Sequence, residues 1–184
     1  MKVAIVHDWL TGMRGGERCL EAFCELFPDA DLYTLLHIKG TVSPTIERHR
    51  ITTSFVQSFP LAARYYRYYL PVFPFAIERF RLPSYDLVLS SSHCVAKGIR
   101  PPAGGKHLCY IHSPMRYVWD QFDNYARGGR SGVVARLGME LFRKRLQAWD
   151  VASAARVDQF VANSHNIAGK VQRYYNRPAA VLHP

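Results

Sequence analysis

The sequence predicts an α/β fold: a Rossmann-like parallel sheet with helices on both faces. Three observations lead there. Short apolar runs alternate along the chain with segments of helical spacing, the pattern that builds a parallel sheet through right-handed crossovers. The first unit is a strand, a glycine-rich turn and a helix in direct succession. The chain has 184 residues of 48% hydrophobic content, enough for one sizeable core and cramped for two complete domains.

Residues 2–7 form an apolar, β-branched run and are predicted as the first strand. Thr11-Gly12-Met13-Arg14-Gly15-Gly16 is turn-like, and a helix is predicted over 17–27. Leu20, Phe23, Cys24 and Phe27 fall on one face of that helix, expected against the sheet, and Pro28-Asp29 ends the run. Further strands are predicted at 31–36, 50–53, 85–90, 107–112, 159–163 and 179–183. The longest helix is predicted over 132–156, amphipathic and basic, with Val134, Leu137, Leu141, Phe142, Leu146, Trp149 and Ala152 at helical spacing. Before it, residues 124–131 carry Gly128-Gly129 and two arginines, a cationic loop that either closes over a ligand or lacks fixed order. The last predicted strand leaves almost nothing after it, so the sequence is expected to be cut at Pro184 rather than concluded there.

Arg, Glu, His or Pro interrupts every apolar stretch long enough to span a bilayer, so no transmembrane helix is predicted. The opening apolar run is too short for a secretion signal, which predicts a cytoplasmic protein. Cys19, Cys24, Cys94 and Cys109 show no CxxC pair and sit in apolar patterns, as reduced core thiols would. The eight histidines form no HxxxH or HExxH arrangement, so no metal site is expected. A formal net charge of +10 implies attraction to something anionic: nucleic acid, an anionic membrane face or phosphorylated ligands.

Four segments hold the candidate chemistry. The glycine turn places backbone N–H groups and a positive helix end where a phosphate can be held, and Arg14 tilts it towards an anion, while Glu17 would have to point away. Its spacing matches neither GxGxxG nor a P-loop, and from the pattern alone a plain tight turn is the better of the two readings. His112 stands where an apolar strand ends, the ligand-binding edge of parallel sheets; it either bonds a sugar hydroxyl or serves as a structural hydrogen-bonder. Ser113-Pro114 reads as the cap and first position of a new helix. Residues 64–81 are unusually aromatic and punctuated by Arg64, Arg67, Arg79 and Arg81. They read as a helix burying its rings, as a membrane-surface element, or as a base-stacking platform. The prolines break the last of these, so no nucleic-acid partner is expected. Ser90-Ser91-Ser92-His93 ends another strand, and its hydroxyls either bind sugar or cap a helix; no GxSxG elbow is present. Ser164 is predicted as a helix cap.

Taken together, Val3-Ala4-Ile5-Val6-His7-Asp8-Trp9-Leu10, Gly15-Gly16-Glu17-Arg18, the segment from Tyr110-Ile111-His112-Ser113-Pro114-Met115-Arg116 to Asp120, Phe160-Val161-Ala162-Asn163-Ser164 and Val181-Leu182-His183-Pro184 resemble consecutive blocks of the family 4 glycosyltransferases. They are particularly similar to the mannosyltransferase-like members of bacterial polysaccharide biosynthesis, over nearly the whole chain. The resemblance implies the N-terminal, acceptor-side domain (1–184) of a two-domain GT-B enzyme that transfers a hexosyl group, with retention, from a nucleotide sugar to a lipid-linked or polysaccharide acceptor. It implies no metal and no cofactor beyond the nucleotide sugar as co-substrate. Its glycine loop maps onto Gly15 and Gly16, facing donor phosphates or the transferred sugar, and its cleft histidine onto His112, near the reaction centre. Arg14 and Arg116 are candidate acceptor or phosphate contacts. The family's donor-side Arg, Lys and paired glutamates have no counterpart here, so the C-terminal donor domain is expected to be missing and this chain by itself inactive. An enzyme with a lipid-carried acceptor would sit peripherally at the inner face of the plasma membrane. The alternative is a stand-alone module that binds an anionic membrane or a partner without catalysis.

Overall fold

The computed structural model describes residues 1–119 and 133–184. In chain order the elements are β1 (Val3–His7), α1 (Gly15–Leu26), β2 (Asp31–Thr34), α2 (Pro44–Glu47), β3 (Ile51–Thr53), α3 (Ala62–Tyr65), α4 (Phe73–Glu78), β4 (Leu87–Ser92), β5 (Lys106–Ile111), α5 (Arg116–Trp119), α6 (Val133–Ala154), β6 (Gln159–Ala162), α7 (His165–Tyr175) and β7 (Ala179–Val181). Short 3₁₀ helices occupy Phe55–Ser58, Tyr66–Val72 and Ala96–Gly98. The strands form one parallel sheet in the order β3-β2-β1-β4-β5-β6-β7. The predicted Rossmann-like α/β fold is therefore present. The chain winds outward from β1 to β3, then returns to β4 on the other side of β1, so a topological switch point lies between β1 and β4.

Alternation along β1 divides the core. Val3 and Ile5 face α1 and α2, packing with Leu20, Cys24, Leu32 and Ile46. Ala4 and Val6 face the other side, with Phe73, Ala76 and Ile77 of α4 and Leu146 of α6. On that same side β5 and β6 present Cys109, Ile111, Phe160 and Ala162 to Ile167, Val171 and Tyr175 of α7.

Each predicted strand is present, with ends set by pairing rather than by apolar content. Leu35 and Leu36, expected in the second strand, instead bond the chain that continues β1: Leu35 N–H donates to Asp8 O at 3.1 Å and Leu10 N–H to Leu36 O at 2.7 Å. Conversely, β4 extends past its apolar run because Ser91 and Ser92 pair with His7 and with Ile111. Helix α6 buries Leu146 and part-buries Phe142 and Trp149, but Leu141, expected on the same face, is 71% exposed and Ala152 is exposed too. The Ser113-Pro114 start is displaced: α5 begins at Arg116, and the Ser113 hydroxyl donates to Pro114 O at 2.7 Å instead of capping. Ser164 caps α7 as predicted, accepting from Ile167 N–H at 3.3 Å. The predicted loop at 124–131 and the predicted helix start at Gly132 lie outside the described residues.

The aromatic segment is three short helical pieces, with Pro71 inside the middle one. Tyr66 and Phe73 are buried, while Leu61, Tyr68 and Phe75 are 69%, 80% and 54% exposed. Part of the segment is thus core and part is surface.

Candidate functional site

The carboxyl ends of β1, β4 and β5 open into a cleft of about 1000 Å³, bounded on one side by the start of α1 and on another by Leu182, His183 and Pro184. Parallel strands all point their carboxyl ends the same way, so a cleft at the switch point collects residues far apart in sequence. Arg14, Gly15, Gly16, His112 and Arg116, all singled out from the sequence, line this one cleft.

Helix α1 begins at Gly15, presenting backbone N–H groups and the positive end of a 12-residue helix to the cleft. A β-carbon at Gly15 would meet nothing within 4 Å; at Gly16 it would lie 3.7 Å from His7 Cε1 and 3.9 Å from His112 Nε2. Gly16 is therefore the nearer of the two to the rings, at distances where a β-carbon would make ordinary van der Waals contact. Glu17 does not point away, contrary to the sequence expectation. It is 3% exposed, its Oε2 accepts from Arg14 N–H at 3.1 Å, and its Oε1 lies 3.9 Å from His7 Nε2. The third residue of a helix turns back towards the cap, and here that direction leads to β1. Burial pushes the Glu17 carboxyl up, but His7 beside it and the backbone donors of the first turn outweigh this and hold it below its usual value.

His112 is joined to the sheet through Ser91. The Ser91 hydroxyl lies 2.9 Å from His112 Nε2 and 3.1 Å from His7 Nδ1. The second contact follows from register, since His7 and Ser91 are direct partners on neighbouring strands. Burial, reinforced by the neighbouring His7 and His93, lowers the His112 pKa to about 4, so the ring is neutral at pH 7 and can accept or donate a single hydrogen bond on each nitrogen. Its Nδ1 has no hydrogen-bond partner among the described residues.

Below the cleft, Asp8 serves the architecture. Its Oδ2 accepts from the N–H groups of His93 and Cys94 at 2.7 and 3.0 Å, and Oδ1 from Val95 and Ala96 at 2.6 and 2.8 Å. Burial raises the Asp8 pKa, but His93, 3.0 Å away, and these donors hold it well below the usual carboxylate range. That clamp turns the chain sharply after β4 and sets the His93 ring against Trp9, with centroids 4.5 Å apart.

The four arginines expected at a membrane go to different places. Arg64, Arg67, Arg79 and Arg81 are all exposed. Arg64 lies over the Tyr65 ring, 5.2 Å from its centroid, and Arg67 lines the main cleft. Arg79 and Arg81 instead line a second cavity of about 560 Å³ with Lys2 and Arg50, beside β2 and β3. Three of the four cysteines are buried as predicted, while Cys19 is half-buried and faces the main cleft. Among the described residues no cluster of His, Cys, Asp or Glu could hold a metal.

Sequence reasoning missed His7 and Asp8 as site residues and named Ser91 only within a serine triplet that would bind sugar or cap a helix, and it missed a buried ion pair next to the site. Lys97 Nζ lies 2.9 Å from Asp150 Oδ1 and donates to Asp150 O and Ser153 Oγ, both at 2.6 Å; neither charged side chain is exposed at all. Asp150 Oδ2 accepts from Trp119 Nε1 at 2.8 Å and from the Tyr175 hydroxyl at 2.7 Å. One network thus ties the turn after β4 to α5, α6 and α7, and so fixes the segment that carries Arg116. The available signal was a lone charge inside each of two apolar runs, Val95-Ala96-Lys97-Gly98-Ile99 and Ala148-Trp149-Asp150-Val151-Ala152. Comparison with known protein families and with curated proteins finds no match for this chain.

Proposed function

We propose that this chain is the acceptor-side, N-terminal domain of a retaining glycosyltransferase of the family 4, GT-B kind. The whole enzyme would transfer a hexosyl group, with mannose the first sugar to test, from a nucleotide sugar to a lipid-linked or polysaccharide acceptor. The observation that supports this most is the convergence, at one switch-point cleft, of two chemistries that a nucleotide sugar needs. A helix start with Gly15 and Gly16, beside Arg14 and Arg116, suits phosphate oxygens. The neutral imidazole of His112 suits a sugar hydroxyl. In this reading the nucleotide is held by a donor-binding half supplied in addition to these 184 residues, and closure of the two halves excludes water from the reacting sugar.

A second observation favours an acceptor carried on a membrane. Leu61, Tyr65, Tyr68 and Phe75 are exposed among Arg64, Arg67 and Arg79, and Arg67 also lines the cleft. Exposed rings settle at the headgroup boundary while arginines pair with anionic lipid. No helix among the described residues is long and apolar enough to cross a membrane, so contact through this surface would be peripheral, at the cytoplasmic face.

The test uses the complete two-domain enzyme with a panel of nucleotide sugars and a membrane lipid extract, with products read by mass spectrometry. Hexosyl transfer that falls on the order of 100-fold in His112→Ala supports the reading. Absence of transfer from every donor, together with sedimentation on anionic vesicles that is lost when Arg64, Arg67, Arg79 and Arg81 become Ala, replaces it with a non-catalytic membrane-binding module.

A further inference from the structure

A buried chain of side chains runs from α1 to the cleft, and the direction of its hydrogen bonds decides what His112 offers a ligand. His7 is fully buried and its Nε2 has no hydrogen-bond partner among the described residues. That nitrogen faces the Glu17 carboxylate, with Oε1 3.9 Å away. A lone pair there would be repelled by the carboxylate, whereas an N–H is attracted, and at low dielectric the difference is large. In the neutral His7 ring the proton therefore belongs on Nε2, which leaves Nδ1 as an acceptor.

Ser91 is equally buried, and its Oγ lies 3.1 Å from that Nδ1. A hydroxyl has one proton, and the bare His7 nitrogen claims it. Only lone pairs then remain on Ser91 Oγ for His112 Nε2, 2.9 Å away, so this nitrogen carries the proton of the neutral ring.

We propose that Glu17, His7 and Ser91 are positioning residues that set the tautomer of His112, leaving its Nδ1 as a bare acceptor that takes a ligand hydroxyl and turns away a phosphoryl oxygen. The hydroxyl part rests on the saccharide reading of the cleft. The two acceptor types, bare nitrogen and phosphoryl oxygen, repel each other, so sugar and phosphate are sorted to different parts of one cleft: the hydroxyl to His112, the phosphate to the helix start and its arginines.

The experiment is long-range ¹H–¹⁵N NMR on the chain labelled with ¹⁵N-histidine at pH 7, with His112 assigned through His112→Gln. The expected spectrum shows a neutral His112 protonated on Nε2. Ser91→Ala should give mixed tautomers and Ser91→Thr should restore the single one. Glu17→Gln keeps an acceptor for Arg14 N–H but removes the charge facing His7, and should also mix the tautomers. A His112 proton on Nδ1 in the unaltered chain, or a tautomer indifferent to Ser91→Ala, overturns the proposal. Methyl mannoside should move the His112 Nδ1 resonance while dimethyl phosphate, a phosphate anion with no P–OH to donate, does not, and Ser91→Ala should weaken the mannoside binding about tenfold, the equivalent of one hydrogen bond. Dimethyl phosphate moving Nδ1, or methyl mannoside leaving it unmoved, overturns the hydroxyl assignment. A correct tautomer in a complete enzyme that transfers no sugar sinks the transferase reading alone.

Discussion

Two groups of buried ionisable side chains lie side by side in this domain, and they differ in how closely their charges are paired. Around Lys97 and Asp150 opposite charges are in direct contact: the ammonium has three oxygens within 2.9 Å, and the carboxylate accepts from Trp119 and Tyr175 on Oδ2 while its Oδ1 meets Lys97 as an ion pair at 2.9 Å without a hydrogen bond. In the cleft, neither His7 Nε2 nor His112 Nδ1 has a hydrogen bond among the described residues, and the carboxylate facing His7 stands 3.9 Å away. The closely paired group costs much to desolvate and is held by geometry, so it specifies how α5, α6 and α7 dock. The cleft group keeps capacity that a ligand can use. Unused bonding capacity in a cleft points to function; a charge paired in direct contact away from it points to architecture.

The largest expected effect tests the closely paired side. Lys97→Met leaves the Asp150 carboxylate buried without its cation and should cost about 3–5 kcal/mol in urea denaturation, while adding Asp150→Leu should recover much of that. A loss below about 1 kcal/mol would break the comparison. Next is acid. Burial depresses His107 and His112 from 6.5 to about 4, so between those values the unfolded chain takes up protons that the folded chain refuses. Stability is then complete above pH 6.5 and falls as the pH drops towards 4, by at most on the order of 3 kcal/mol for each ring. Asp8 and Glu17, both held low, extend the loss below that window. Denaturation midpoints between pH 7 and pH 5 should fall steeply in the unaltered chain and less steeply in His107→Gln.

Smaller effects sharpen the boundary between the two regions. A β-carbon at Gly98 would lie 2.5 Å from the Trp149 indole carbons Cζ2 and Cη2, so Gly98→Ala should cost about 1–3 kcal/mol by overpacking beside the Lys97–Asp150 network. At Gly15, where a β-carbon meets nothing within 4 Å, Ala should change stability by less than about 0.5 kcal/mol. Under the proposed transferase reading the same substitution should weaken ligand binding at the helix start, read by titration with a nucleotide sugar.

Much of the frame was legible in the sequence. Strand and helix periodicity, the glycine turn before α1 and the Ser164 cap are local properties, set by backbone hydrogen bonding and side-chain direction within a few residues. His112 was legible as a strand-end residue of a parallel sheet for the same reason. Leu141 was misplaced because helical spacing names a face but not how much of that face a neighbour covers. Arg79 and Arg81 read as partners of Arg64 and Arg67, yet helix breaks around Pro71 send them to another cavity.

What the tertiary structure alone decided is how distant residues meet. Ser91 stands 84 residues from His7 and 21 from His112, and the three are joined only because strand order and register set β1, β4 and β5 side by side. Lys97 finds Asp150 only after α6 docks across the sheet. Local propensity acts over a turn of chain and is written in composition; bonding capacity is completed, or left open, only by packing, because a buried polar atom has no solvent to fall back on.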